Sequence, residues 1–234
     1  MRKAEYGFYL RDTMKLVKNL KGSAIPIMMK KFVTALSLIA LGVLARLYFH
    51  HFLPSAPNIY ITIAGIQQPV FIPGDVFFMI AIISLIAGRY LGGYFAFVVP
   101  FSTMMITDVF IGNNFIFLFT WSGFALMGMF GLLMQKHSFS KFIAFSIPAI
   151  IVYDLWTNFG WWMGGYYGHN LHGLLLCYIL AIPFMLWHLI STMLVLPVFA
   201  LPFEKISLTE SKSKVAKYAT ISSTAFLISL ALLI

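Results

Sequence analysis

From residue 153 to residue 173 the chain reads Tyr-Asp-Leu-Trp-Thr-Asn-Phe-Gly-Trp-Trp-Met-Gly-Gly-Tyr-Tyr-Gly-His-Asn-Leu-His-Gly. The first half continues an apolar run, so a helix would place Asp154 and Asn158 on one face, four residues apart. The second half is an aromatic and polar loop without Lys, Arg or Glu. A carboxylate at membrane depth costs about 2.5–3.5 kcal/mol on insertion scales, so it usually faces a partner or a wet cavity. The stretch predicts one wall of a small-molecule pocket.

The composition predicts an all-α integral membrane protein. Of the 234 residues, 61% are hydrophobic and only 10% are charged, and several apolar runs are long enough to cross about 30 Å of hydrocarbon. The single cysteine, Cys177, excludes a disulfide framework and a cysteine-based zinc site.

Hydropathy divides the chain into four predicted segments. They are a basic cytoplasmic or interfacial segment, a six-helix transmembrane bundle, a basic cytoplasmic linker and a seventh transmembrane helix, over residues 1–31, 32–200, 201–215 and 216–234 respectively. The predicted spans are approximately 32–49, 74–91, 93–111, 115–134, 142–163, 173–200 and 216–234.

The basic residues predict the orientation of these spans. Eight of the 16 Lys and Arg residues precede Phe32, and all of the 16 except Arg46 fall on the side that would hold the N-terminus. The positive-inside rule makes that side cytoplasmic and puts the C-terminus outside the cell. Because the net charge of +9 collects there, it indicates a lipid bilayer as the partner and not nucleic acid.

This topology gathers polar side chains toward the outer leaflet. The expected substrate contacts are Arg46, Asp108, Trp121, Asp154, Asn158, Trp161 and His172, because a pocket needs aromatic walls and a few convergent polar groups. Two further interpretations stay open: Arg46 and Asp108 as an ion pair between helices, which does not exclude a ligand role, and Trp161 as part of an interfacial belt. His188, alone on an apolar helix, is interpreted as a packing residue.

The motif search predicts that the chain is not an enzyme and carries no cofactor. It contains no HExxH, GxSxG, GxxxxGK[ST] or GxGxxG pattern, so any nucleotide chemistry would come from another subunit. A metal site remains an alternative, because His50, His51, His169 and His172 all fall in predicted outer loops and imidazole suits Zn, Ni or Cu.

Three stretches carry a resemblance to a known family. They are Arg46 after an apolar helix, Gly88-Arg-Tyr-Leu-Gly-Gly-Tyr94 followed by Pro100 and Asp108-Val-Phe-Ile-Gly112, and Asn158-Phe-Gly-Trp-Trp followed by Gly173-Leu-Leu-Leu-Cys-Tyr-Ile-Leu-Ala-Ile-Pro183. Over residues 35–195 the chain resembles the substrate-binding S components of energy-coupling factor transporters. The resemblance implies a six-helix bundle that binds a vitamin-like nutrient under an outer loop, beside a transmembrane coupling subunit and two ATPases.

The expected function is therefore a membrane subunit that captures a small polar or aromatic nutrient for ATPase-driven uptake. The chain departs from the family in its first span, where Ala35, Ala40, Gly42 and Ala45 miss the Ala-x-x-x-Ala docking face. The predicted seventh span and the basic N-terminal segment are further departures. A structural subunit of a larger membrane complex is the alternative, with the small-residue face Ser84, Gly88 and Gly92 contacting a neighbour. Metal handling by the outer histidines is the third hypothesis.

Overall fold

The computed structural model of the protein describes residues 27–49, 59–63, 65–70, 78–112 and 115–210. Residues 1–26 of the predicted N-terminal segment, the histidines at positions 50 and 51 and the predicted seventh helix lie outside these residues.

The described chain is mostly helical. Its elements are α1 (Ile27–Tyr48), β1 (Tyr60–Ile63), β2 (Ile66–Pro69), α2 (Met79–Ile86, continued by a π-helical turn, Ala87–Leu91), α3 (Phe95–Ile111), α4 (Phe117–Leu133), α5 (Phe139–Met163) and α6 (Leu171–Glu210).

The helices have the apolar exterior that a bilayer requires. Within the described residues, α1, α5 and α6 are long and apolar enough to cross a membrane, and the other three helices are shorter but also apolar. Large side chains such as Val109, Leu194 and Val198 expose two thirds or more of their surface. The class of a helical membrane protein is confirmed at this level, whereas the seven crossings and the orientation stay predictions.

Several helix ends differ from the hydropathy prediction. Helix α1 begins at residue 27 instead of 32, and α2 begins at residue 79 instead of 74. Helix α6 continues to residue 210, so residues 201–210, which the prediction assigned to a linker, are helical. Hydropathy marks only where a helix is apolar. Lysine and glutamate are good helix formers, so α1 and α6 continue beyond their apolar stretches.

A β-hairpin, which the sequence analysis did not predict, lies between α1 and α2. Strands β1 and β2 pair in antiparallel register, with Tyr60 opposite Pro69 and Ile63 opposite Ile66. Gly65 in the turn has φ +81°, a conformation that glycine adopts without strain. The hairpin contacts α6, where the indole of Trp187 donates to the carbonyl oxygen of Val70 at 2.6 Å.

Glycines bring α2, α3 and α4 into backbone contact. A Cβ added to Gly88 would lie 2.0 Å from the carbonyl oxygen of Gly128, and one added to Gly128 would lie 1.8 Å from that of Ala96. Ser84, on the same face as Gly88, is fully buried. This small-residue face therefore packs inside the protein at both positions, and the hypothesis that it contacts a neighbouring subunit loses its support there.

We expect Gly128→Ala to lower the free energy of unfolding by roughly 1–3 kcal/mol or more, because the new methyl group meets backbone that cannot move aside. The matched control is Gly42→Ala, whose added Cβ meets the ends of the Ile83 and Thr103 side chains. Both changes gain the same helix propensity, so the difference in thermal midpoint in detergent isolates the clash. Equal midpoints for the two variants would contradict the packing described here.

Candidate functional site

A cavity of about 560 Å³ lies among α1, β2 and helices α2 to α6. We call it the Asp154 cavity, after the carboxylate in its wall. The other polar or aromatic side chains that matter below are Arg46, Gln68, Asn158, Trp161, Tyr167 and His188. The sequence-predicted contacts Arg46, Asp154, Asn158 and Trp161 therefore meet at one place.

The late start of α2 helps to create this space. The backbone N–H of Phe78 donates to the hydroxyl of Ser191 at 2.9 Å, so α2 begins beside the middle of α6. Phe78, Met79 and Ile80 line the cavity, and the first turn of α2 contains no acidic residue. The first N–H groups of a helix carry partial positive charge, which makes this part of the wall suited to an electron-rich ligand atom.

Asp154 is the most deeply buried charged group of the cavity. Only 1% of its surface is exposed, and its Oδ1 lies 2.6 Å from Nδ1 of His188 on α6. The His188 ring stacks on Phe78, with ring centroids 3.9 Å apart and planes 13° apart. The second oxygen, Oδ2, is one of four buried polar side-chain atoms without a hydrogen-bond partner in the described residues.

Arg46 enters the cavity from the end of α1 and is held there by α3. Its Nη1 donates to Oδ1 of Asp108 and to the hydroxyl of Thr107. The indole N–H of Trp121 on α4 donates to the other oxygen of Asp108 at 2.7 Å. The interpretation of Arg46 and Asp108 as an ion pair between helices is therefore correct.

Two predicted contacts, Asp108 and Trp121, belong to the network that holds Arg46 and do not line the cavity. Both carboxylate oxygens of Asp108 have donors, Arg46 on one and the Trp121 indole on the other. The prediction of Trp121 as a substrate contact is therefore not supported at this cavity. Its ring instead packs edge-on against Phe101 and Phe117.

Asn158 and Tyr167 are further polar side chains of the cavity wall. The amide nitrogen of Asn158 donates to the carbonyl oxygen of Asp154 in the preceding turn at 2.8 Å, which orients its carboxamide along α5. Burial, with a smaller contribution from Cys177, raises the pKa of the Tyr167 phenol above its ordinary value of 10.0. The phenol therefore stays protonated at neutral pH and can donate a hydrogen bond.

Two of the four outer histidines in the metal-site hypothesis, His169 and His172, belong to the described residues. His172 is exposed in the first turn of α6 and does not line the cavity, so its predicted role as a substrate contact is not supported there. His169 contacts the carbonyl oxygen of Met163 at 3.0 Å. No group of three or more His, Cys, Asp or Glu side chains comes together among the described residues.

Sequence reasoning missed the role of His188, which was interpreted as a packing residue. A signal was present: residues 173–200 contain no Asp, Glu, Lys or Arg, and His188 is their only histidine. A buried carboxylate on α5 needs a hydrogen-bond donor. The next helix along the chain, α6, carries this one imidazole in its apolar part. Gln68 was missed because its position in the cavity depends on the β-hairpin.

Comparison with known proteins gives a family without a described activity. A family model described as "Family of unknown function (DUF6580)" matches residues 27–216, which include every element described above. No curated protein and no solved structure matches the chain. The resemblance to S components stays a prediction.

We expect Asp108→Asn to destabilise the protein by about 2 kcal/mol or more, because it leaves the Arg46 charge without its counterion in a mostly apolar setting. Trp121→Phe keeps the ring and removes one hydrogen bond, so about 1 kcal/mol is expected. Thermal unfolding in detergent measures both. The control is Trp156→Phe, whose indole donates to Ser122 on the exposed surface. A loss from Asp108→Asn no larger than that of the control would refute the network.

Proposed function

We propose that this chain, which belongs to the DUF6580 family, is a membrane-embedded binding subunit that captures a small polar or aromatic nutrient in the Asp154 cavity. The observation that carries the proposal is Oδ2 of Asp154, a buried acceptor that faces no donor within the described residues. An unsatisfied buried acceptor costs about 1–3 kcal/mol, and more when it is charged. A ligand N–H or O–H group that reaches this atom would recover that free energy on binding.

The composition of the wall supports a ligand with a ring and at least one donor. Trp161 and Phe78 offer aromatic surface, and Tyr167 offers a donor. Ligand pockets combine such apolar walls with a few placed polar groups, at volumes of roughly 300–1,000 Å³. The volume of about 560 Å³ falls inside that range, so the preferred ligand has the size of a small heterocycle or an amino-acid-like molecule.

Arg46 supports a second recognition element in the same ligand. Its two hydrogen bonds are both made by Nη1, and the residue lines the cavity with about a quarter of its side chain exposed. A guanidinium that is already held in place binds a carboxylate or carbonyl oxygen with little further loss of side-chain entropy. The ligand that fits best therefore combines an N–H or ammonium group for Asp154 with an acceptor for Arg46.

We also propose the side of the membrane to which the cavity opens. Among the described side chains, those basic residues that lie far from the cavity are Lys30, Lys31, Arg89, Lys136, Lys141 and Lys205, and Arg46 is the one at the cavity. The positive-inside rule then turns the cavity toward the outside of the cell, with the N-terminus in the cytoplasm and a multi-pass topology.

Uptake would depend on partners. The sequence has no nucleotide-binding motif, so the proposal assigns no catalysis and no cofactor to this chain. As the resemblance to S components implies, a transmembrane coupling subunit and ATPases would supply the energy. Copurification from native membranes separates this function from an assembly role. Companions with ATPase activity favour uptake, whereas stoichiometric membrane partners without it would overturn the uptake hypothesis.

We expect Asp154→Asn to abolish retention of the small molecule that purifies with the wild-type protein, because the amide cannot offer the same charged acceptor. Mass spectrometry of extracts from equal amounts of protein measures the bound molecule. His172→Gln is the control, since His172 is exposed and outside the cavity. A variant that inserts, purifies and retains the molecule at the wild-type level would remove Asp154 from the site.

The aromatic wall gives a second prediction with a matched pair. Trp161 lines the cavity, whereas Trp156, five residues earlier on α5, does not. Loss of a stacking ring costs about 1 kcal/mol of binding, so Trp161→Leu should weaken retention about fivefold and Trp156→Leu should leave it unchanged. Equal retention by the two variants would show that the ligand does not use this wall.

A further inference from the structure

We propose a second binding site, at the opposite end of the bundle, for a phosphate ester with a net negative charge. The site is a hollow of about 320 Å³ between the start of α1, the π-helical turn, the α4–α5 connection and the end of α6. We call it the Arg89 hollow. Its charged side chains are Lys30, Lys31, Arg89, Lys136 and Glu204. It does not depend on the Asp154 cavity or on nutrient binding, and rests on the proposed function only for the orientation of the chain.

The hollow has an excess of positive charge. Among the described residues, four cationic side chains line it against the single carboxylate of Glu204, a formal surplus of three. That carboxylate is already engaged, because its Oε2 accepts from Nη2 of Arg89 at 3.0 Å and from the hydroxyl of Tyr90 at 2.8 Å. Cations gathered in one concave surface attract an anion from solvent or from a membrane surface.

Arg89 contributes a buried donor that has no acceptor. The residue is 6% exposed, and its two terminal nitrogens donate to the carbonyl oxygens of Met134 and His137 and to Glu204. Its Nε is buried without a hydrogen-bond partner in the described part of the chain. A phosphate oxygen is a strong acceptor for such a group, and the guanidinium is held in place before the anion arrives.

The backbone around the hollow is fixed by further contacts. The ammonium of Lys31 donates to the carbonyl oxygen of Leu91 at 2.6 Å, and the amide of Gln135 donates to that of Gly88 at 3.2 Å. Both acceptors belong to the π-helical turn, a feature that is frequent at functional sites. A preformed site loses little entropy on binding. Lys136, in contrast, is exposed and its ammonium makes no hydrogen bond or ion pair within the described residues, so it can reach an incoming anion.

An anionic phospholipid is the source that the surroundings favour. Ile27, Phe203 and Ile206 also line the hollow, and Ile27 is 57% exposed. Apolar side chains directly beside a cationic hollow suit a molecule with a phosphate head and an acyl chain. The proposed orientation places this end at the cytoplasmic leaflet, where anionic lipids attract basic residues. A soluble phosphate ester shares the head-group chemistry but would leave the apolar rim uncovered.

The test compares lipids and variants on the full chain in detergent. Phosphatidylglycerol, phosphatidylcholine and glycerol 1-phosphate are added separately, and binding is measured by native mass spectrometry and by the thermal midpoint. We expect phosphatidylglycerol to bind and raise the midpoint, and phosphatidylcholine to do neither. Glycerol 1-phosphate that binds as tightly as phosphatidylglycerol would identify a soluble phosphate as the ligand and overturn the lipid assignment.

Two lysine variants locate the binding. Lys136→Gln should weaken phosphatidylglycerol binding about fivefold, because one basic residue near such a surface gains about that factor. Lys141→Gln removes the same charge from a nearby exposed position that does not line the hollow, and should have no effect. Equal weakening by both variants would show attraction to overall charge only, and no binding by the wild-type protein would refute the site. Arg89 is left intact because it joins helices.

Discussion

A carboxylate removed from water is the constraint on which the interior of this protein depends. Asp154 is almost fully buried among α5, α6 and the start of α2, where the free energy of an isolated charge would be prohibitive. His188 meets one oxygen and thereby fixes α6 against α5. The stack of His188 on Phe78 then joins the start of α2 to this pair. One ionisable group thus determines how three helices meet.

The two buried aspartates differ in how many of their carboxylate oxygens receive a hydrogen bond. Asp108 receives donors on both oxygens, from Arg46 and Trp121, and so joins α1, α3 and α4 without needing anything further. Asp154 receives a donor on one oxygen, and the other faces none in the described chain. A satisfied network stabilises a fold, whereas an unpaired buried acceptor is costly and gains from a ligand donor. The proposed nutrient site follows from this difference.

Sequence reasoning found the charges but not the geometry around them. Asp154, Asn158 and Arg46 stood out because polar residues are rare in apolar runs, and the structure brings them to one cavity. The predicted contact Trp121 does not line that cavity. The depth of a residue in a span does not tell on which side of the helix its side chain lies. The hairpin and the start of α2 were missed for another reason. Hydropathy measures apolar length, whereas these features depend on turn chemistry and on contacts with α6.

The single cysteine of the chain offers a chemical means of detecting whether the Asp154 cavity is filled. Cys177 lines the Asp154 cavity, and its thiol donates to the carbonyl oxygen of Asn158. Since the sequence has no other sulfhydryl group, a small alkylating reagent that modifies the protein reports on one known position in that wall. Only 2% of Cys177 is exposed, so a reagent has to enter the cavity to reach the sulfur. Protection of this thiol would then report a filled cavity without an engineered label.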